Sequence, residues 1–168
     1  MEENTNSKIE FLDRAHEIEA MVKTDQDMRN KKRISEDFFD ETIGKNNAEK
    51  LKIIISEIGW PTISKVGEES SHSAWLLAQH AEHNIPFQLQ CLELMKQCAP
   101  GEVSKKDIAY LEDRIRVNLG QPQIYGTQFT RQGEIYVPKP IENRDSVDDR
   151  RKEMNLETLE AGIIEMNK

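Results

Sequence analysis

The sequence predicts a mainly α-helical single domain, a helical bundle with a small C-terminal β-hairpin. Two observations carry that reading. Apolar residues recur at helical spacing between capping and stop signals up to Gly120, and beyond it short β-like segments flank a glycine turn. A chain of 168 residues supports one substantial core, whereas two independent ones would each be marginal. The expected organisation is an N-terminal helix within 1–33, a helical core over 46–120, a hairpin over 121–140 and C-terminal helices over 146–168.

The first helix is expected to begin near Ser7, which forms a capping box with Glu10, and to place Ile9, Leu12, Ala15, Ile18 and Val22 on one face. It should run through Asp25, Gln26 and Arg29 and fray in Lys31-Lys32-Arg33. Asn47 reads as the cap of a second helix carrying Leu51, Ile54, Ile55 and Ile58. Gly59 ends it, and Pro61 holds Trp60 extended. A loop from Thr62 to Ser70 precedes a helix over Ser71 to His83. Asn84 then caps a helix to Cys98, with Pro86 tolerated in its first turn. Ser104 and Asp107 open a helix that carries Ile108, Leu111 and Ile115 and stops at Gly120. Ile124 to Phe129 and Glu134 to Val137 read as the two arms of the hairpin, followed by helices over Ser146 to Met154 and Leu156 to Met166.

A net charge of -8 argues against a sequence-independent grip on nucleic-acid phosphates, which requires clustered Lys and Arg. No apolar run approaches the roughly 20 residues of a membrane span, and Met1 to Lys8 are polar, so a cytoplasmic protein is expected. Cys91 and Cys98, seven apart on one helix, are separated by about 10 Å along the axis, too far for a disulfide. They read as small core residues.

Both tryptophans and three of the four histidines fall between Gly59 and Gln88, so a site is most economically built there. On a helical wheel, Ala74, Leu77, Ala78 and Ala81 share one side. His72, Gln79 and His83 share the other, with His80 and Leu76 flanking them. A polar stripe beside Trp75 favours a partly enclosed cleft. The plainer alternative is a set of hydrogen-bonded packing histidines and ordinary surface glutamines. His80 and His83, three apart, could reach one metal ion, but zinc would need a third protein ligand and Glu82 points elsewhere on the wheel. His80-Ala81-Glu82 echoes half of the zinc deaminase signature without its Pro-Cys-x-x-Cys. No nucleophile elbow, phosphate loop or dinucleotide fingerprint is present. Tyr125-Gly126-Thr127-Gln128 offers a phenol, a hydroxyl and an amide on a turn able to orient a polar ligand, or alternatively a hairpin packed through Tyr125 and Phe129. Asp113-Arg114 reads as a source of structural ion pairs.

Asp25-Gln26 with Arg29, GWPTISKVGEESSHSAWLLAQHAEHN from Gly59 to Asn84, Phe87-Gln88, AYLEDRIRVNLGQPQIYGTQF from Ala109 to Phe129, Pro140-Ile141 and VDDRR from Val147 to Arg151 form an ordered string of motifs. Together they resemble a bacterial family, domain of unknown function 6624, over nearly the whole chain. The resemblance implies a single domain and brings no activity with it. Its pattern coincides with this chain at Trp60, His72, Trp75, Gln79, His80, Gln88, Gln121, Tyr125 and Gln128. Glu82 stands where many relatives carry Asp, and His83 is less characteristic of the pattern.

These residues favour an enzyme of hydrolase or lyase type doing acid–base chemistry on a small polar molecule, with no metal and no cofactor. His72 or His80 would exchange the proton, since imidazole titrates near physiological pH, with Tyr125 completing the catalytic set. Trp60, Trp75, Gln79, Gln88 and Gln128 would bind the substrate. The alternative is a non-catalytic binding or protein-interaction module in which the tryptophans are anchors, its partner left open.

Overall fold

The computed structural model describes residues 9–34 and 40–168, and among them the expected helical class is found, with eight α-helices and one two-stranded antiparallel hairpin near the C-terminus. The chain divides into two compact units, residues 1–81 with 97–103, and residues 82–96 with 104–168.

In the first unit α1 (Leu12–Ile34), α2 (Glu41–Ile58), the single turn α3 (Ile63–Val66) and α4 (Glu68–Gln79) pack on one another. Helix α1 starts at Leu12, later than expected near Ser7, and stays helical through the basic run to Ile34. Ser7 itself lies outside the described residues. The buried stripe of α1 is Ala15, Ile18, Met21, Asp25 and Met28, a spacing of three or four that places a carboxylate in register with the core. Leu12, expected on that face, is exposed instead.

Helix α2 begins six residues before the expected cap. Asp40 caps it by accepting from the Thr42 N–H at 2.9 Å, and Asn47 lies inside the helix, buried, donating to the Met21 carbonyl at 3.4 Å. Its end is where the sequence puts it. Gly59 takes φ +71°, its N–H reaches the Ile55 carbonyl at 2.9 Å, and Lys65 Nζ donates to the otherwise open Ile58 carbonyl. The expected loop after Thr62 contains α3, whose first turn is held by Glu102 accepting from Ser64 N at 3.0 Å and Ser64 Oγ at 2.7 Å. Helix α4 starts at Glu68 rather than Ser71. Its small residues Ser70, Ser71, Ala74 and Ala78 are buried, and Ser70 donates to Glu19 of α1 at 2.6 Å.

The second unit holds all but the last residue of α5 (Ile85–Gln97), which is capped by Asn84 accepting from Phe87 N at 3.1 Å. Ser104 caps α6 (Lys105–Asn118) by accepting from Asp107 N. The hairpin departs from expectation in the bounds of its strands: β1 is Phe129–Gln132 and β2 is Ile135–Pro138, with Phe129 opposite Pro138 and Gln132 opposite Ile135. Gly133, the first of the two turn residues, has φ +64°, which a tight hairpin turn requires.

The first strand starts late because the preceding segment is claimed by a side chain. Asp113, buried on α6, accepts from the N–H groups of Ile124 at 2.7 Å, Tyr125 at 3.0 Å and Thr127 at 3.0 Å, and from the Thr127 hydroxyl at 3.0 Å. Those donors are therefore lost to any ladder. Gln123 clamps the hairpin base, its amide donating to the Gln128 and Lys139 carbonyls at 2.9 Å each while its oxygen accepts from Gln128 N at 2.8 Å.

A 3₁₀ turn (Arg144–Ser146) leads into α7 (Val147–Glu153), and α8 (Leu159–Met166), capped by Thr158, starts at Leu159 rather than at Leu156. Asn167, just past α8, pairs with the main chain of Tyr136 in both directions, at 2.7 and 2.9 Å, and so covers part of the β2 edge.

Gly126 carries the closest tolerance in this unit. It has φ +72°, and a Cβ there would sit 2.8 Å from Leu159 Cδ1 and 2.9 Å from Ile141 Cδ1. Gly126→Ala is expected to destabilise the protein by roughly 2–5 kcal/mol, combining left-handed strain with overpacking, and urea unfolding measures it. A loss below about 1 kcal/mol would mean that the turn relaxes freely.

Candidate functional site

Helix α4 stops at Gln79, and His80 occupies its C-cap with αR backbone angles and its N–H on the Leu76 carbonyl at 3.0 Å. The imidazole reaches α1, where His80 Nδ1 lies 2.6 Å from Asp25 Oδ2. The same oxygen accepts from Arg29 Nε at 3.0 Å, one helical turn further along α1, and from Gln26 Nε2 at 3.2 Å. Asp25 is 1 % exposed and the His80 side chain 16 %. Asp25 Oδ1 is buried with no hydrogen-bond partner among the described residues.

Burial pushes the Asp25 carboxyl up, but the hydrogen bonds and charges of His80 and Arg29 more than offset it, leaving the group below its ordinary value. An ionised Asp25 requires the proton of the neutral imidazole to sit on Nδ1. His80 Nε2, which makes no hydrogen bond among the described residues, is then the basic nitrogen.

His72 is exposed on α4, and its ring lies over Trp75 with centroids 4.7 Å apart at an interplanar angle of 33°. Trp75, Gln79 and Trp60 are buried, and the Trp60 indole N–H finds no acceptor among the described residues. The polar stripe drawn on the wheel therefore splits, with His72 outside and Gln79 inside. The helical spacing invoked for a His80–His83 metal pair does not apply, because both residues lie beyond the end of α4. A cavity of about 260 Å³ on the α1–α2 face, lined by Met21, Thr24, Asn46 and Asn47 among others, does not reach His72 or His80.

The remaining candidates belong to the second unit. Gln88 is fully buried in α5. Gln128 is buried, its amide donating to Thr127 Oγ1 at 3.0 Å. Tyr125 is half-buried, and burial together with the carboxylates of Glu112, Asp113 and Glu153 drives its phenol up to about 12, so it stays protonated and serves as a neutral hydrogen-bonding group. Of the expected Asp113-Arg114 ion pairs, Arg114 makes one, with Glu82 at 2.5 Å, while Asp113 instead holds the turn before β1. Burial raises the Asp113 carboxyl, and the Thr127, Tyr125 and Ile124 N–H groups pull it part of the way back.

Sequence reasoning missed Asp25 as the partner of His80, although Asp25-Gln26 with Arg29 stood among the motifs. Its signal is a carboxylate in the buried register of α1. Arg151 of the VDDRR motif was also passed over. Its Nε donates to the Glu157 carbonyl at 2.6 Å and its Nη1 to the Tyr125 carbonyl at 2.7 Å. Neighbouring Arg150 binds the carbonyls of Ile124 at 2.9 Å and Glu142 at 2.6 Å.

No helix among the described residues is long and apolar enough to cross a membrane. The model of a family of unknown function, DUF6624, matches residues 12–167. No curated protein and no solved structure matches the chain.

Because its folded pKa lies below the unfolded value, Asp25 contributes stability that is complete above the unfolded pKa and is lost as the pH falls through the folded one. The thermal stability of the wild type should fall from about pH 5 downward. Asp25→Asn should be less stable at pH 7 and have a shallower acid limb. Superimposable acid limbs would show that Asp25 is not the linked group.

Proposed function

The chain belongs to DUF6624, a family of unknown function, and we propose that it is an acid–base enzyme of hydrolase or lyase type acting on a small polar molecule, with His80 as the proton-transfer group. One observation carries the reading: a histidine whose Nδ1 lies 2.6 Å from a buried carboxylate and whose Nε2 has no hydrogen-bond acceptor or donor among the described residues. Such an arrangement fixes the tautomer and ring orientation and stabilises the imidazolium formed when Nε2 takes a proton. Asp25 touches His80 and acts through it, so it is a positioning residue. Arg29 and Gln26 hold Asp25 in turn.

Trp60 and Trp75 supply apolar bulk in the same unit, and His72, stacked on Trp75, is the secondary candidate for proton transfer.

The reaction class is tested by offering the purified protein a panel of small polar esters, amides and β-substituted acids. For any substrate turned over, His80→Gln should cost about 10²–10⁴-fold in kcat, the usual contribution of a positioned acid–base group. Asp25→Asn should lower kcat more than it alters KM, and its pH profile should shift. His72→Gln should cost less than His80→Gln. Unchanged turnover in both histidine variants, each shown to be folded, would refute the proposal.

A further inference from the structure

The second unit holds a cavity of about 640 Å³ whose floor includes Arg151. This arginine is 5 % exposed, an unusual place for a guanidinium. Its Nε and Nη1 are consumed by main-chain carbonyls, Glu157 at 2.6 Å, Tyr125 at 2.7 Å and Gly126 at 3.5 Å. Nη2 is left without an acceptor among the described residues. No carboxylate lies within ion-pair distance of Arg151 among them, so its charge is balanced only by dipoles and by more distant groups.

Gly162 gives an independent sign that this edge is kept open. It sits in the middle of α8, where glycine costs about 1 kcal/mol relative to alanine. Its backbone has no positive φ to demand glycine. What glycine does provide is room, since a Cβ at 162 would stand 3.1 Å from Arg151 Nη2. Gly162 lines the same cavity, so even the smallest side chain would cover the nitrogen that lacks an acceptor.

Around that nitrogen the wall is largely apolar, formed by Phe129, Leu156, Ile164 and other side chains, with Lys106 also in the lining. Lys168, Glu157 and Glu165 complete its charges, and Lys168 is paired with Glu165 at 2.6 Å. The lining thus carries three cations against two carboxylates, the reverse of the chain's net -8. We propose that this cavity binds a small monocarboxylic acid, its carboxylate on Arg151 Nη2 and Lys106 and its apolar body against Phe129, Leu156 and Ile164. One open guanidinium nitrogen and one ammonium suit a singly charged head, whereas a phosphate dianion would call for more donors than remain. The apolar wall supplies affinity and the charged floor supplies orientation.

Titration of the ¹⁵N-labelled full chain with sodium hexanoate, followed by NMR, tests the assignment. Saturable shifts are expected at the amides of Thr127, Ala161 and Gly162, with hexan-1-ol binding at least tenfold more weakly and inorganic phosphate producing no saturable shift at those amides. Gly162→Ala should leave the protein folded, since it favours α8, yet weaken hexanoate at least fivefold. Lys106→Gln should weaken it several-fold. The proposal is overturned if hexanoate gives no saturable shifts there, if hexan-1-ol or phosphate binds as well as hexanoate, or if folded Gly162→Ala binds hexanoate like the wild type.

Discussion

A carboxylate removed from water is held by donors, and the donors gathered on one such group organise each unit of the chain. Desolvating one such ion costs on the order of several kcal/mol, so the residues around it are constrained more tightly than ordinary packing would demand. In the first unit the ion is Asp25, set into the buried stripe of α1 between Met21 and Met28. Its donors come from its own helix, Arg29 and Gln26, and from the cap of α4, His80. The contact between α1 and α4 is thereby fixed in register as well as in distance, with Ser70 and Glu19 tying the same two helices elsewhere.

Asp113 plays the equivalent part in the second unit through different chemistry. It meets no charge at hydrogen-bond distance and collects main-chain N–H groups, so what it orders is the path of the chain from Ile124 to Thr127. Arg151 addresses the opposite polarity of that segment by donating to the carbonyls of Tyr125 and Gly126. A four-residue stretch that makes no ladder is thus satisfied on both sides by side chains, which is how irregular backbone is buried without losing its hydrogen bonds. Gly126 then fits between Leu159 and Ile141 because it has no side chain.

What could be read from the sequence follows the range of the interactions. The caps at Asn84 and Ser104 and the stop at Gly59 are local, set by residues within one turn of the helix end. The start of β1 is not legible locally, because alternation in Ile124 to Phe129 suggests a strand, while the competing acceptor is Asp113, eleven or more positions away. Both ends of α4 lack a local signal: Gly67 opens it without a side-chain cap, and no glycine or proline marks its stop at Gln79. Asn47 looks like a cap in isolation, yet it is an internal residue whose amide serves the Met21 carbonyl. For the candidate site, the histidines and tryptophans were legible by their clustering. The partner of His80 was not, because 55 residues separate it from Asp25. Its traces in the sequence are the Asp25-Gln26 with Arg29 motif and the helical period that puts Asp25 in line with Ile18, Met21 and Met28.

The functional account depends on which nitrogen of His80 carries the proton, and ¹⁵N NMR of the imidazole reads this directly without any substrate. At a pH where the ring is neutral, the account predicts the Nδ1–H tautomer with Nε2 bare, and a shift toward the tautomer mixture of free imidazole in Asp25→Asn. A wild-type ring protonated on Nε2, or a tautomer indifferent to Asp25→Asn, would contradict it.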